Sequence, residues 1–514
     1  MQNLIEKIKQ FIHSYNSRAI IEIPPKPEFG HLSTNISVFL RGDAIDAFKS
    51  RLMEVFVNEI DSETQIGTFT NIFLKPYVLK DQEMHYHTTD KYKFNMEFCS
   101  PNPTGPLHLG HLRNIVIGNS IYNLYKLCKF NAESENYIND QGNQMNQFLD
   151  TIRHYKNPNK YTEIYYKGAY VEAIANQVSD YVLKEDVLQV IMKQINSTLH
   201  DIHVHFDHVT FESSLTEYVH IVIDKLKALD LLEEGTMENQ KTEGTLLMVK
   251  CGDERFVLQK GNGDFTYFAF DLAYFYSKSL RVIDTHHASN LHNPLVIVLG
   301  EDHYSHIKKM TSVLAHLNVH IKVVKYAMVN VIKDGEIINM SKREGTLITI
   351  NDILKDIDIQ SLTAQIMRQN FDKVMNVYLD NDQSSINDIL YIRHVYNKTR
   401  NILSSFEGEE EIHLETPIEH SLFSLLMHYT SVLKNTCETL NTHRIFEFSM
   451  RIIKLAHEYL STDHQTNIIL ILKINQVVSN LDAIFSLQLS HQEEVENGLF
   501  NDEINEIITN MKKQ

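Results

Sequence analysis

The sequence predicts an α/β fold: a doubly wound parallel sheet mid-chain, a small α/β module before it and an all-α helical bundle after it. Three observations carry this. PLVIVLG at 294–300 is an uninterrupted apolar run ended by glycine, the pattern of a parallel strand buried on both faces. FNMEF at 94–98 is a second strand, cut by Pro101, Pro103, Gly105 and Pro106 before a helical pattern sets in at Leu112. Four stretches after residue 351 carry apolar stripes at helical spacing.

In chain order, residues 1–85 form the first module. An amphipathic helix is expected over 3–16, then a strand in AIIEIPP. Ser33-Thr34-Asn35 before an apolar run marks a helix start, and IGTFTNIFLKPYVL at 66–79 reads as strand. The sheet domain spans 86–350. It opens with strand, tight loop, helix and a return strand, and is interrupted at about 150–260 by a largely helical insertion that ends in the hairpin EGTLLMVKCGDERFVLQ. His203, His205 and His208 within it match no common metal-ligand spacing and are read as ordinary residues. DFTYFAFDLAYFYSK at 264–278 is a loop running into a helix, and VHIKVVKYAMVNVI at 319–332 supplies two further strands. Residues 351–514 form the bundle, with helices in 387–406, 420–440, 444–461 and 467–485 and an acidic loop at 408–419.

A chain of 514 residues with 43% hydrophobic content folds as several domains, not as a disordered polymer. Its four cysteines are far apart and form no C-x-x-C pair, so reduced thiols are expected, with neither zinc ribbon nor redox couple. The N-terminal helix carries acidic residues and no cleavage site, and no run of about 18 apolar residues occurs. A cytoplasmic protein without membrane contact is the expectation. The net charge of −18 argues against a broadly basic nucleic-acid surface. A bulk count leaves room for local basic strips, and RNA is gripped largely by shape.

The richest stretch is FNMEFCSPNPTGPLHLGHLR at 94–113, where His108-Leu109-Gly110-His111 begins a helix. The first N–H groups of a helix lack internal partners and attract phosphate; two histidines there add donors. Gly110 lets a flat ring lie against the backbone. Downstream, residues 339–345 read NMSKREG. HLGH followed by MSKR resembles the two ATP motifs of class I aminoacyl-tRNA synthetases. The flanking EFCSPNPTGPLHLGHLRN, YINDQGNQ at 137–144 and TYFAFDLAY at 266–274 resemble arginyl-tRNA synthetases of the bacterial type.

That resemblance implies a Rossmann-like catalytic domain, an N-terminal appended domain touching the outer corner of tRNA, and a helical anticodon-binding domain. It implies charging of tRNA(Arg) with L-arginine at the expense of ATP, with Mg²⁺ accompanying the polyphosphate and no structural metal. Bound tRNA is expected to be needed for activation, and a monomer is expected. The catalytic candidates are His108, His111 and Lys342. Gly110 and Ser341 join them around ATP. Glu97 and Asn102 fall on the positions that hold the α-amino group and orient the substrate. Tyr267 and Asp271, four residues apart and so on one helix face, fall on the readers of the guanidinium. Asn143, Asp302 and His303, with Asn139, Asp140 and Glu301, are further pocket candidates. Asn339 stands where the family's motif has its first lysine, which leaves Lys342 or Lys333 to supply the cation. Two other readings use the same motifs: a class I synthetase for another amino acid, and a synthetase-derived binding protein without charging activity.

Overall fold

In a computed structural model, the described residues are 3–88, 93–236, 244–282, 295–333, 335–338, 348–378, 383–408, 412–462 and 467–489. They group into two compact units, 88–382 and 1–87 with 383–514.

Residues 88–382 are built on a five-stranded sheet. Its strands are β1 (Lys93–Glu97), β2 (Asn131–Ile138), β3 (His208–Phe211), β4 (Leu295–Gly300) and β5 (Ile321–Tyr326). All four neighbouring pairs are parallel, in the order β5-β4-β1-β2-β3. Chain order thus reverses between β1 and β4. In such a sheet ligands sit in the crevice outside the carboxyl ends at that reversal. β4 is buried along Leu295–Leu299, as a parallel central strand requires. β1 departs from a simple alternation. Phe94 and Met96 are buried, but so are the polar Asn95 and Glu97. The second face is covered by α2 (Tyr267–Val282), whose Lys278 pairs with Glu97, while Asn95 donates to Glu135 on β2.

Helix α1 (Leu109–Leu127) follows β1 and is buried on most of its circumference. A Cβ at Gly118 would lie 2.2 Å from Cγ of Phe98, so only glycine lets α1 approach the end of β1 this closely. The insertion holds helices, including Gly142–Lys156 and Lys184–Asp201, and a three-stranded antiparallel sheet. The expected hairpin is there, Leu246–Cys251 against Glu254–Gln259, turned at Gly252. Inside the region expected to be an insertion lies β3, which completes the parallel sheet. His208 on it meets the Glu133 carboxylate at 3.0 Å, and no group of three metal-binding side chains occurs among the described residues. Of the two strands expected in 319–332, β5 joins the main sheet. The other, β6 (Val329–Lys333), belongs to a separate sheet, paired in parallel with β7 (Met375–Tyr378). That pairing draws residues 351–378 into this unit and away from the helices expected to follow them.

The other unit combines a four-stranded antiparallel sheet and two helices from its N-terminal part with four long helices from its C-terminal part. Ser33 and Thr34 lie in the strand Leu32–Thr34, and only a single 3₁₀ turn follows Asn35. The helix-start signal is overridden there because Leu32–Thr34 pairs with Phe69–Leu74. The four helices run Gln383–Ser405, Pro417–Thr439, Thr442–Leu460 and Ile468–Phe485. Thr416 and Glu419 form a capping box with Pro417 in the first turn, which is why the second begins where it does. Ile468–Phe485 is long and apolar enough to span a bilayer, but it is 67% buried inside the unit and serves as a core helix. It also ties in the N-terminal part. Lys473 donates to the carbonyls of Lys80 and Gln82, at 3.1 and 2.6 Å, and Asn480 to that of Met84, at 2.7 Å.

Candidate functional site

The crevice at the β1/β4 reversal is assembled from backbone held in unusual conformations. Directly after β1, Cys99 and Ser100 adopt φ of 71° and 40°, the left-handed region that non-glycine residues seldom occupy. Neighbours hold them there. The Asn114 side chain accepts from Cys99 N–H at 2.5 Å and donates to the Val298 carbonyl at 2.7 Å, linking the loop to β4. Asn136 accepts from Ser100 N–H at 3.1 Å. The Ser100 hydroxyl donates to Glu97 Oε1 at 3.0 Å and accepts from Tyr137 N–H at 3.2 Å.

At the start of α1, His108 is the N-cap. Its Nδ1 accepts from Gly110 N–H at 3.2 Å, while His111 Nδ1 accepts from His108 N–H at 3.1 Å. The rings lie 3.8 Å apart between centroids. Because both Nδ1 atoms accept, the neutral rings carry their protons on Nε2. A Cβ on Gly110 would approach His108 Cε1 to 3.0 Å, so the glycine spares the capping ring a tight contact.

Three buried acids influence one another electrostatically. Glu97, Glu212 and Asp271 are each no more than 6% exposed. Asp271 Oδ2 lies 2.6 Å from His306 Nε2, an imidazole contributed by α3 (Tyr304–Ala315). Burial lifts the Asp271 carboxyl to about 6, with Glu97 adding to the rise and His306 opposing it. Glu212 is lifted to about 7, again first by burial, with Asp271 and Asp140 contributing; the Tyr137 hydroxyl donates to it at 2.8 Å and opposes the rise. Tyr267, one turn before Asp271, is 52% exposed and its ring centroid is 5.7 Å from that of His306. Buried acids beside exposed aromatic faces suit a flat, multiply donating cation.

A family model described as tRNA synthetases class I (R), catalytic domain, matches residues 74–397, more than half of the chain. The chain belongs to the class I (R) tRNA synthetases. An arginine–tRNA ligase of Listeria monocytogenes serotype 4b (strain F2365) is 26% identical over 522 residues, covering 90% of this chain and 91% of that protein. One from Thermotoga petrophila is 26% identical over 491 residues, covering 85% and 87%. Among solved structures, Thermus thermophilus arginyl-tRNA synthetase superposes with a TM-score of 0.70 at 16% identity, covering 93% of this chain and 98% of that one. The Plasmodium falciparum arginyl-tRNA synthetase gives 0.67 at 16%, covering 95% and 98%.

In this synthetase the remaining sequence candidates fall in different settings. Asn102 is exposed and donates to Gln144 Oε1 at 3.0 Å. Asn143 is exposed near the start of Gly142–Lys156. Asp140 is buried and engaged elsewhere: Ser213 N–H donates to it at 2.9 Å and Lys184 at 3.2 Å. Asp302 and His303, 3.5 Å apart, are 70% and 74% exposed just after β4. Ser341 and Lys342, with Asn339, lie outside the described residues.

Several residues outside the sequence candidates contact or surround them. Glu212 sits on an element remote in sequence from the motifs, and nothing local marks it; His306 lies one helical turn after the candidate His303, a spacing that marks it. Lys278 lies seven residues after Asp271, two turns along the same helix, and that spacing was available as a signal. Arg113, inside HLGHLR itself, is 1% exposed. Its guanidinium donates to five carbonyls, those of Ala327, Met328, Asn370, Phe371 and Lys373, at 2.5–3.4 Å. It thereby fastens α1 to the segments that lead into β6 and β7.

Proposed function

We propose that the chain joins L-arginine to its tRNA in two steps. The arginine carboxylate attacks the α-phosphorus of ATP, the bond to pyrophosphate breaks, and arginyl-adenylate forms. A terminal ribose hydroxyl of tRNA(Arg) then attacks the activated carbonyl, loses its proton, and AMP leaves. The observation that carries this reading is the cluster of buried acids Glu97, Glu212 and Asp271, with Tyr267 exposed one helical turn from Asp271.

In this reading His108 and His111 receive the phosphates through their Nε2 protons, which stabilise charge as pyrophosphate departs. Gly110 keeps the capping ring in place. Ser341 and Lys342 supply a hydroxyl and a cation to the polyphosphate. Glu97 and Asn102 receive the α-amino group and orient the substrate. Asp271 accepts from the guanidinium, Tyr267 covers it, and Glu212 adds a second carboxylate. Mg²⁺ arrives with ATP as part of the substrate, its charge offsetting that of the polyphosphate. The relatives named arginine–tRNA ligases support the amino acid and the tRNA as substrates. The test is arginine-dependent exchange of pyrophosphate into ATP, with and without tRNA(Arg). Exchange with arginine supports the reading; exchange with a different amino acid alone overturns it.

A further inference from the structure

Lys278 is fully buried, and nothing in the reaction as described uses it. Its Nζ lies 3.1 Å from Glu97 Oε2 and 3.3 Å from the Tyr274 hydroxyl. The ammonium also rests 4.6 Å from the ring centroid of Tyr274 and 5.1 Å from that of Phe275. An uncompensated lysine in such a place would lose its proton or destabilise the fold. Here the carboxylate and the two aromatic faces supply the compensation.

The pairing fixes Glu97 as much as it satisfies Lys278. One carboxylate oxygen receives Lys278 and the other receives Ser100 Oγ, which itself accepts from Tyr137 N–H. Three elements, α2, the loop after β1 and β2, therefore determine the rotation of one side chain. The neighbouring buried acid does not depend on this lysine for its hydrogen bonds. Glu135 is held by Arg281 at 2.5 Å, Thr210 at 2.6 Å and Asn95 at 2.7 Å.

We propose that Lys278 is a positioning residue for amino-acid activation, holding the Glu97 carboxylate in the orientation that receives the α-ammonium of arginine without itself touching substrate. The inference rests on the reading of Glu97 as an amino-acid contact. It assigns the lysine to substrate recognition rather than to packing alone. Its effect falls on arginine and not on ATP, because the phosphate side is built from α1.

The experiment is a double-mutant cycle in tRNA-supported ATP–pyrophosphate exchange, using Glu97→Gln, Lys278→Met and the pair. Lys278→Met is expected to raise the KM for arginine by about tenfold while the KM for ATP stays within about twofold. The double variant is expected to match Glu97→Gln alone, since the lysine acts through that carboxylate. Effects that multiply, or an equal rise in KM for ATP, overturn the positioning role. An unchanged arginine KM in Glu97→Gln instead overturns the reading of Glu97 itself. If Lys278→Met fails to fold, Lys278→Arg carries the test. Its planar guanidinium cannot reproduce the ammonium's geometry, so arginine KM should rise by several fold; an unaltered value overturns the proposal.

Discussion

Asp271 on α2 and His306 on α3 meet at 2.6 Å, joining an almost fully buried carboxylate to a half-buried imidazole across two helices. The imidazole opposes the rise that burial imposes on the acid and fixes its orientation. Replacing Asp271 by Asn keeps the volume and removes the charge that a guanidinium would meet. Losing one partner of a buried charged pair costs about 2–5 kcal/mol, a loss of roughly thirtyfold or more in affinity. Calorimetric titration of Asp271→Asn should show arginine binding weakened to that degree with ATP binding retained. Unchanged arginine affinity removes Asp271 from the site.

The proposed guanidinium contact with these acids predicts arginine binding that depends on pH near neutrality. Asp271 is raised to about 6 and Glu212 to about 7 from ordinary values of 3.8 and 4.5. A raised acid favours the fold while neutral, so that contribution is complete below its ordinary value and is lost as pH rises through 6 and 7. Binding a cation has the opposite preference and draws off the protons. Arginine KM should therefore rise as pH falls from 8 to 6, and titration at pH 6.5 should release protons. Equal heats in two buffers of different ionisation enthalpy would show that neither acid changes state.

His108 and His111 cap one helix turn reciprocally, so the proposed chemical role falls on two rings that already have a structural one. They separate by substitution. His111, as the N3 member of the capping box, contributes a capping hydrogen bond of about 1 kcal/mol, whereas removing a donor to developing oxyanion charge slows turnover by about a hundredfold or more. Asparagine at 111 keeps a side-chain acceptor and loses the imidazole donor. His111→Asn should melt near the wild-type temperature yet exchange pyrophosphate slowly, and His111→Ala should show both defects. Normal exchange in His111→Asn would leave the histidine with its capping role alone.

What could be read in the chain and what could not divide along one line: whether the deciding partner is near in sequence. β1, β4, α1 and the long C-terminal helices announce themselves through proline and glycine placement, apolar runs and caps such as Thr416 with Glu419. β3 does not. HVTF is four residues long and only partly buried, so its place in the parallel sheet comes from pairing with β2 rather than from its own pattern. Ser33 and Thr34 look like a helix start because their true partners lie near residue 70. Glu97 reads as a polar position on an alternating strand because Lys278, 181 residues on, is invisible from there. HLGH pointed to a helix start; that Arg113 beside it would gather five carbonyls depended on segments more than 200 residues away.

The unit formed by residues 1–87 and 383–514 carries histidines held neutral by burial, which makes it acid-sensitive. His31, 2% exposed, accepts from Leu74 N–H at 2.9 Å through Nδ1, and its Nε2 lies 3.0 Å from His420 Nδ1. Burial, and then His420, lowers His31 from 6.5 to about 3. Burial lowers His428 to about 4; it lowers His394 to about 4 as well, with His457 and Lys398 contributing. Around the His31–His420 pair the packed groups include Phe73 and Phe423, and burial lowers His420 while the charge of Glu419 and the backbone at Leu414 favour its charged form. A lowered histidine stabilises the fold fully above its ordinary value of 6.5, and that stability is lost as pH falls toward 3 to 4. Each such group costs about 1.4 kcal/mol per pH unit within that window. Amide exchange in peptides from Pro417–Thr439 should therefore accelerate between pH 6.5 and 5 after correction for intrinsic rates. His31→Asn, which retains an acceptor for Leu74 N–H, should flatten that dependence by about one proton's worth. An unchanged slope in that variant would move the acid sensitivity to His428 and His394, deeper among the helices.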